Sequence, residues 1–120
     1  MIDHLSIKVV DFEKSKAFYT AALKPLDYKV WRDFAPNAIG MGSDKPDFWL
    51  IAGPKATPNH IAFAAKDRKT VDAFYKAALA AGAKDNGPPG VRKQYHEHYY
   101  GAFVIDPDGN NLEAVCHRAE

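Results

Sequence analysis

The chain has one cysteine, no excess of charge of either sign, and no apolar run long enough to span a bilayer. Each absence removes a class of protein. Cys116 alone cannot close an intrachain disulfide, so the chain is no disulfide-stapled scaffold and a reducing compartment is expected. Sixteen basic residues against fifteen acidic ones give a net charge of +1, which leaves no footprint for nucleic acid or an anionic membrane. No stretch reads as a secretory leader, and a cytoplasmic location is the expectation. Low-complexity tracts are missing too. With 47% hydrophobic residues, the 120 positions suffice for one domain with one core.

What is present is a repeat. "HLSIKVVDFEKSKAFYTAAL" (4–23) aligns without gaps on "HIAFAAKDRKTVDAFYKAAL" (60–79), with eight of twenty positions identical, the leading His among them. Each copy opens with an alternating strand: Leu5, Ile7 and Val9 on one face against His4, Ser6 and Lys8, then Ile61 and Phe63 against His60, Ala62 and Ala64. Asp11 and Asp67 stand where helix N-caps belong. Val71, Phe74, Tyr75 and Ala78 follow helical spacing, and Gly82 is a natural stop. The bulky strand face therefore packs on the helix, and the His face points away from it.

Shorter extended pieces follow each helix: "YKVWRDF", "AIGMG" and "DFWLIAG" in the first copy, "HYYGAFVI" and "NNLEAVC" in the second. The loop "KDNGPPGVRK" (84–93) occupies the middle of copy two, where no strand is evident. The expected architecture is α+β: two tandem βαβββ modules in one domain, 1–53 and 59–120, joined by a linker at 54–58. They are expected to form a curved mixed sheet around a cleft, with the helices on its outer face.

Superposing the last strands of the copies puts Trp49 where Glu113 falls. The first strands offer His4 and His60. Should the sheets curl toward each other, two imidazoles and one carboxylate face one cleft. That is a ligand set suited to a first-row divalent metal, with coordination positions left open. A cation would also account for a carboxylate placed mid-strand in a small domain, where desolvation is costly.

"DHLSIKVVDFEKSKAFYTAAL", "NHIAFAAKD" with "AFYKAALAAG", and "FVIDPDGNNLEAV" together resemble the vicinal oxygen chelate superfamily, which includes glyoxalase I, fosfomycin-resistance enzymes, bleomycin-resistance proteins and extradiol dioxygenases. The resemblance covers essentially the whole chain. It implies His4, His60 and Glu113 as metal ligands, with Fe, Mn, Ni, Co or Zn as the ion. It also implies a homodimer in which module one of one chain faces module two of the other. Glyoxalase I carries a fourth ligand, a Glu, where this chain has Trp49. Fosfomycin-resistance enzymes have a Trp there, but their Tyr and Ser before the DPDG turn align with Phe103 and Gly101. Lys93 falls about where a phosphonate-binding Lys would sit.

"RKQYHEHYYG" (92–101) is the richest source of proton-transfer groups, with Tyr95, His96, His98, Tyr99 and Tyr100. His98 and Tyr99 are the catalytic candidates. Trp49, Arg92, Lys93, His96, Tyr100 and Phe103 are candidates for contacting substrate. Strand register decides among them. A plain two-residue loop at Asp106–Gly109 sets Ala102 opposite Glu113 and brings His98 to the metal side. One extra bulge residue instead brings Phe103, Gly101 and Tyr99 there, and the family resemblance favours this version. Cys116 falls on the face opposite Glu113 and is not expected to ligate. The expected function is a metalloenzyme acting on a small oxygenated molecule, of lyase, isomerase, thiol-transferase or dioxygenase type. The alternative is a metal-free small-molecule binding protein of the bleomycin-resistance kind.

Overall fold

The computed structural model describes residues 1–120. Strand β1 (Leu5–Val9) leads into helix α1 (Phe12–Ala22), a 3₁₀ turn at Lys24–Leu26, and strands β2 (Lys29–Phe34), β3 (Ala38–Gly42) and β4 (Phe48–Ala52). The second module repeats this with β5 (His60–Ala64), α2 (Arg68–Ala80), the two-residue strands β6 (Lys84–Asp85) and β7 (Gly90–Val91), then β8 (Tyr100–Ile105) and β9 (Asn111–Cys116). Each module has its own mixed sheet, ordered β1-β4-β3-β2 and β5-β9-β8-β6, with β7 also on β8. In both, the first strand runs parallel to the last.

Both helices begin at the expected Asp caps. The Asp11 carboxylate accepts the Lys14 N–H at 3.1 Å, and that of Asp67 accepts from the Thr70 N–H at 2.8 Å and hydroxyl at 2.7 Å. Helix α2 ends at Ala80, two residues before Gly82, whose φ of 104° turns the chain out of the helix. The segment 84–93 departs from the expected plain loop. Its flanks pair with β8 as β6 and β7, and Pro88 and Pro89 between them have no N–H to continue the ladder. Residues 92–99, by contrast, form no strand: they fold back in a turn, with the Arg92 N–H on the Tyr99 carbonyl at 2.7 Å.

The two modules share one core. Phe48 of β4 packs against Tyr19 and, at 5.3 Å between centroids, edge-on against Phe63 of β5, which in turn meets Tyr28. A second, polar tie crosses the same seam. The Asp106 carboxylate accepts from the Tyr19 hydroxyl, the Asp108 N–H (2.9 Å), the Asn110 N–H (2.7 Å) and the Asn110 side chain (2.8 Å). Asp108 accepts from the Val10 N–H at 3.0 Å and the Ser15 hydroxyl at 3.3 Å. The DPDG turn of module two is thus anchored on α1 of module one, with both carboxylates buried.

Burial, and then the Asp106 charge, hold the Tyr19 phenol well above its ordinary pKa. The folded chain keeps that proton at a pH where the unfolded chain releases it. Stability should therefore fall as pH rises past about 10, by about 1.4 kcal/mol per pH unit for this one group. Thermal melts between pH 9 and 11 test this; a Tyr19→Phe protein should lose the corresponding part of the slope.

Candidate metal centre

Glycine decides the register of the last hairpin. The Gly109 N–H closes the turn on the Asp106 carbonyl at 3.1 Å, and Gly109 then adopts φ 88°, adding one residue before the ladder resumes at Ile105–Asn111. The bulged alternative is the one adopted. Phe103, not Ala102, stands opposite Glu113, and Ala62 of β5 flanks it on the other side. Glu113 therefore points to the face away from the helices.

Three side chains meet there. His60 Nε2 lies 2.8 Å from Glu113 Oε1, and the Tyr99 hydroxyl donates to Glu113 Oε2. Glu113 is 1% exposed, whereas the His60 side chain is 53% exposed, so the carboxylate forms the floor and the imidazole the rim. Tyr95 and Phe103 complete an open cleft of about 310 Å³. Gly101 leaves room for the carboxylate: a Cβ there would sit 3.3 Å from Glu113 Oε2 and 3.2 Å from the Tyr99 ring. Burial first, then the hydrogen bond to Glu113 and its charge, raises the Tyr99 phenol far above its ordinary range. It is a proton donor at any ordinary pH.

His4 is not part of this group. It precedes β1 on the open face of module one, 55% exposed, and no three His, Cys, Asp or Glu side chains within the chain cluster as a metal site. Its surroundings are nonetheless ordered. Asp3 Oδ1 holds His4 Nδ1 at 2.7 Å while Lys45 holds the other Asp3 oxygen at 2.9 Å, and His4 Nε2 has no partner. The Lys45 hydrogen bond, then that of His4, lowers the Asp3 pKa to about 2, so this carboxylate stays ionised. A carboxylate on one imidazole nitrogen with the other left free is how ligating histidines are commonly oriented.

Several other expected site residues lie elsewhere. Tyr100 faces the helix side: its hydroxyl donates to Asp72 of α2 at 2.7 Å and Arg68 covers its ring. The alternation of β8 forces this once Gly101 and Phe103 face Glu113. Arg92 binds the Pro88 and Gly90 carbonyls and backs the Phe103 ring, so it supports a cleft wall. Lys93 is exposed. His96 and His98 do not touch Glu113; His96 accepts the His98 N–H at 3.1 Å and packs on His117, which packs on Tyr99. Trp49 lies on the open face of module one, and Cys116 is buried in the core on the helix side. Sequence reading misses Asp3, Lys45 and His117, and names Tyr95 only as a member of the 92–101 stretch. Only Asp3, as the neighbour of a predicted ligand, carried a local signal.

The donor set fits a divalent first-row ion: an imidazole nitrogen and a desolvated carboxylate oxygen face each other at 2.8 Å, with a second oriented imidazole on the companion module.

The sequence model described as the Glyoxalase/Bleomycin resistance protein/Dioxygenase superfamily matches residues 1–114. A glyoxalase/bleomycin resistance protein from Albidiferax ferrireducens is 30% identical, with a TM-score of 0.81 over 94% of this chain and 95% of that one. Lactoylglutathione lyase from Agrobacterium tumefaciens shares the fold at 15% identity and a TM-score of 0.74, covering 97% and 92% of the two chains. A variant of the fosfomycin resistance protein FosX from Listeria monocytogenes, in complex with Mn(II) and 1S,2S-dihydroxypropylphosphonic acid, does so at 19% identity and 0.73, covering 96% and 88%. No curated protein matches the chain.

Proposed function

The chain belongs to the Glyoxalase/Bleomycin resistance protein/Dioxygenase superfamily, and from that premise we propose that it is a metal-dependent enzyme acting on a small oxygenated molecule. His60 and Glu113 of one chain and His4 of a second copy hold the ion. The observation that carries this reading is Glu113, a carboxylate 1% exposed yet facing an imidazole across 2.8 Å on the open side of its sheet. When bound, a divalent ion there supplies Lewis-acid polarisation to two neighbouring oxygens of a ligand. The chain's own groups do the rest. Tyr99 keeps its proton and donates it to Glu113 Oε2, fixing the carboxylate's orientation. Phe103 and Tyr95 wall the cleft beside the carboxylate. With Trp49 at the equivalent strand position there is no second carboxylate to act as a base, and Tyr99, held protonated, serves as a hydrogen-bond donor rather than as that base.

A metal-free binding protein is the second reading. It is favoured by one observation: hydrogen bonds with His60 and Tyr99 satisfy both Glu113 oxygens. Metal analysis of protein purified without chelator separates the two. The enzyme reading expects one ion per chain, lost in His60→Ala and in His4→Ala. Substoichiometric metal that His4→Ala leaves unchanged supports the binder. Tyr99→Phe removes an orienting hydrogen bond and should weaken Mn(II) binding about 10- to 100-fold, as read by titration.

A further inference from the structure

The open face of module one carries a second arrangement that metal binding does not explain. Ser6, Trp49, Gly40 and Arg32 form one cross-strand row over β1, β4, β3 and β2, and Lys8, Ile51, Ala38 and Phe34 form the next. A Cβ on Gly40 would meet three benzo-ring carbons of Trp49 at nearly equal distances, 2.7, 2.8 and 2.8 Å. Such near-equidistance means that the indole lies face-down on Gly40. The Phe34 ring is parallel to it within 8°, with centroids 6.3 Å apart, and Phe34 is 57% exposed. The result is an aromatic platform of two parallel rings, and it exists only because position 40 lacks a side chain. It is bordered by cations without acidic partners. Arg32 reaches only the Trp31 carbonyl, at 3.4 Å, and Lys8 makes no ion pair. Neither row contains a carboxylate.

We propose that this face selects the ligand: it takes a molecule with a planar, conjugated or aromatic body and an anionic group, laid on Phe34 and Trp49 with its charge toward Arg32 and Lys8. Placement of that ligand beside the ion rests on the metal-centre reading, because His4 sits two residues from Ser6 on the same face. The platform itself does not. A planar body stacks on the rings, whereas a saturated one of equal size gains only contact area. The positive border attracts an anion and repels a cation.

The test uses the full chain in a Trp31→Phe background, which leaves Trp49 as the one indole. Its fluorescence is titrated with phenylpyruvate, 3-cyclohexyl-2-oxopropanoate, pyruvate and the neutral benzyl methyl ketone, in EDTA and again with Mn(II). Phenylpyruvate should quench Trp49 in both conditions and bind about 3- to 10-fold tighter than the cyclohexyl analogue. Arg32→Gln should weaken it roughly 5-fold without changing the ketone. Gly40→Ala, which must lift the indole, should cut the planar preference to under about 2-fold. Equal binding of the planar and saturated rings overturns the proposal, as does absence of quenching in both conditions. So does a Phe34→Leu protein that becomes monomeric with its ligand preference unchanged, since the platform is then a subunit contact. Quenching that is the same with and without Mn(II), in protein that binds no metal, sinks the metal centre and leaves the platform standing. Metal loss on His60→Ala with no planar preference does the reverse.

Discussion

Mixed in equal amounts, unfolded and refolded together, His4→Ala and Glu113→Gln chains should recover metal binding that neither shows alone. Within one chain, the His60–Glu113 pair and His4 stand on the open faces of different sheets and form no common cluster. The modules are fixed to each other by the Phe48–Phe63 contact and by the Asp106 and Asp108 carboxylates on α1. Closing a three-ligand site inside one chain would require breaking that seam. A two-fold dimer would need no such change, because each chain would supply one half-site to each of two centres. In a mixed dimer, one centre combines intact His4 from the Glu113→Gln chain with intact His60 and Glu113 from the other. Its companion centre carries both lesions. Random assortment makes half the dimers mixed, so about a quarter of the centres should be restored. Mn(II) stoichiometry measures this directly. No recovery would mean that each centre is built from a single chain, or that these residues do not bind metal together.

Asp106→Ala should be the most destabilising single change outside the hydrophobic core. Its carboxylate satisfies four donors in a region with almost no access to water, two of them the backbone N–H groups of Asp108 and Asn110 and one the Tyr19 hydroxyl. Alanine leaves all four unpaired and buried. The cost should be about 3–5 kcal/mol, because several buried donors lose their acceptor at once, each at about 1–3 kcal/mol when fully orphaned. For a domain of this size that lowers the melting temperature by on the order of 10–20 °C. Asp106→Asn keeps an acceptor and should fall between the two proteins. Ser15→Ala, which removes one 3.3 Å bond to Asp108, should cost about 1 kcal/mol. A melting temperature within a few degrees of the parent for Asp106→Ala would mean that the turn finds other partners.

The repeat, the capped helices and the inward and outward faces of the strands are legible in the sequence, because they are set by periodicity and by residues a few positions apart. Asp11, Asp67 and Gly82 act locally and can be read locally. The register of β8 against β9 is only half legible. Asp-Pro-Asp-Gly announces a turn, but whether Gly109 belongs to the turn or follows it as a bulge depends on how the buried Asp106 and Asp108 are satisfied. That choice moves Tyr99 to Glu113 and turns Tyr100 toward α2. The separation of His4 from His60 is not legible from periodicity or spacing; only the family resemblance, through its cross-chain pairing of modules, implied it. It follows from how two similar modules dock, and internal similarity says nothing about which faces meet. The platform needs a contact between Gly40 and Trp49 across neighbouring strands, which no local pattern encodes.

Trp49 and Glu113 occupy equivalent places in a duplicated strand, yet their cross-strand neighbours are reversed in bulk: an empty Gly40 beside the indole, a Phe103 ring beside the acid. Duplication has thus left two scaffolds of one shape with opposite temperaments, one greasy and cationic, the other built around a single buried acid. Directed evolution could rewrite positions 32, 34, 40 and 49 to accept new compounds while every donor atom around Glu113 stays untouched.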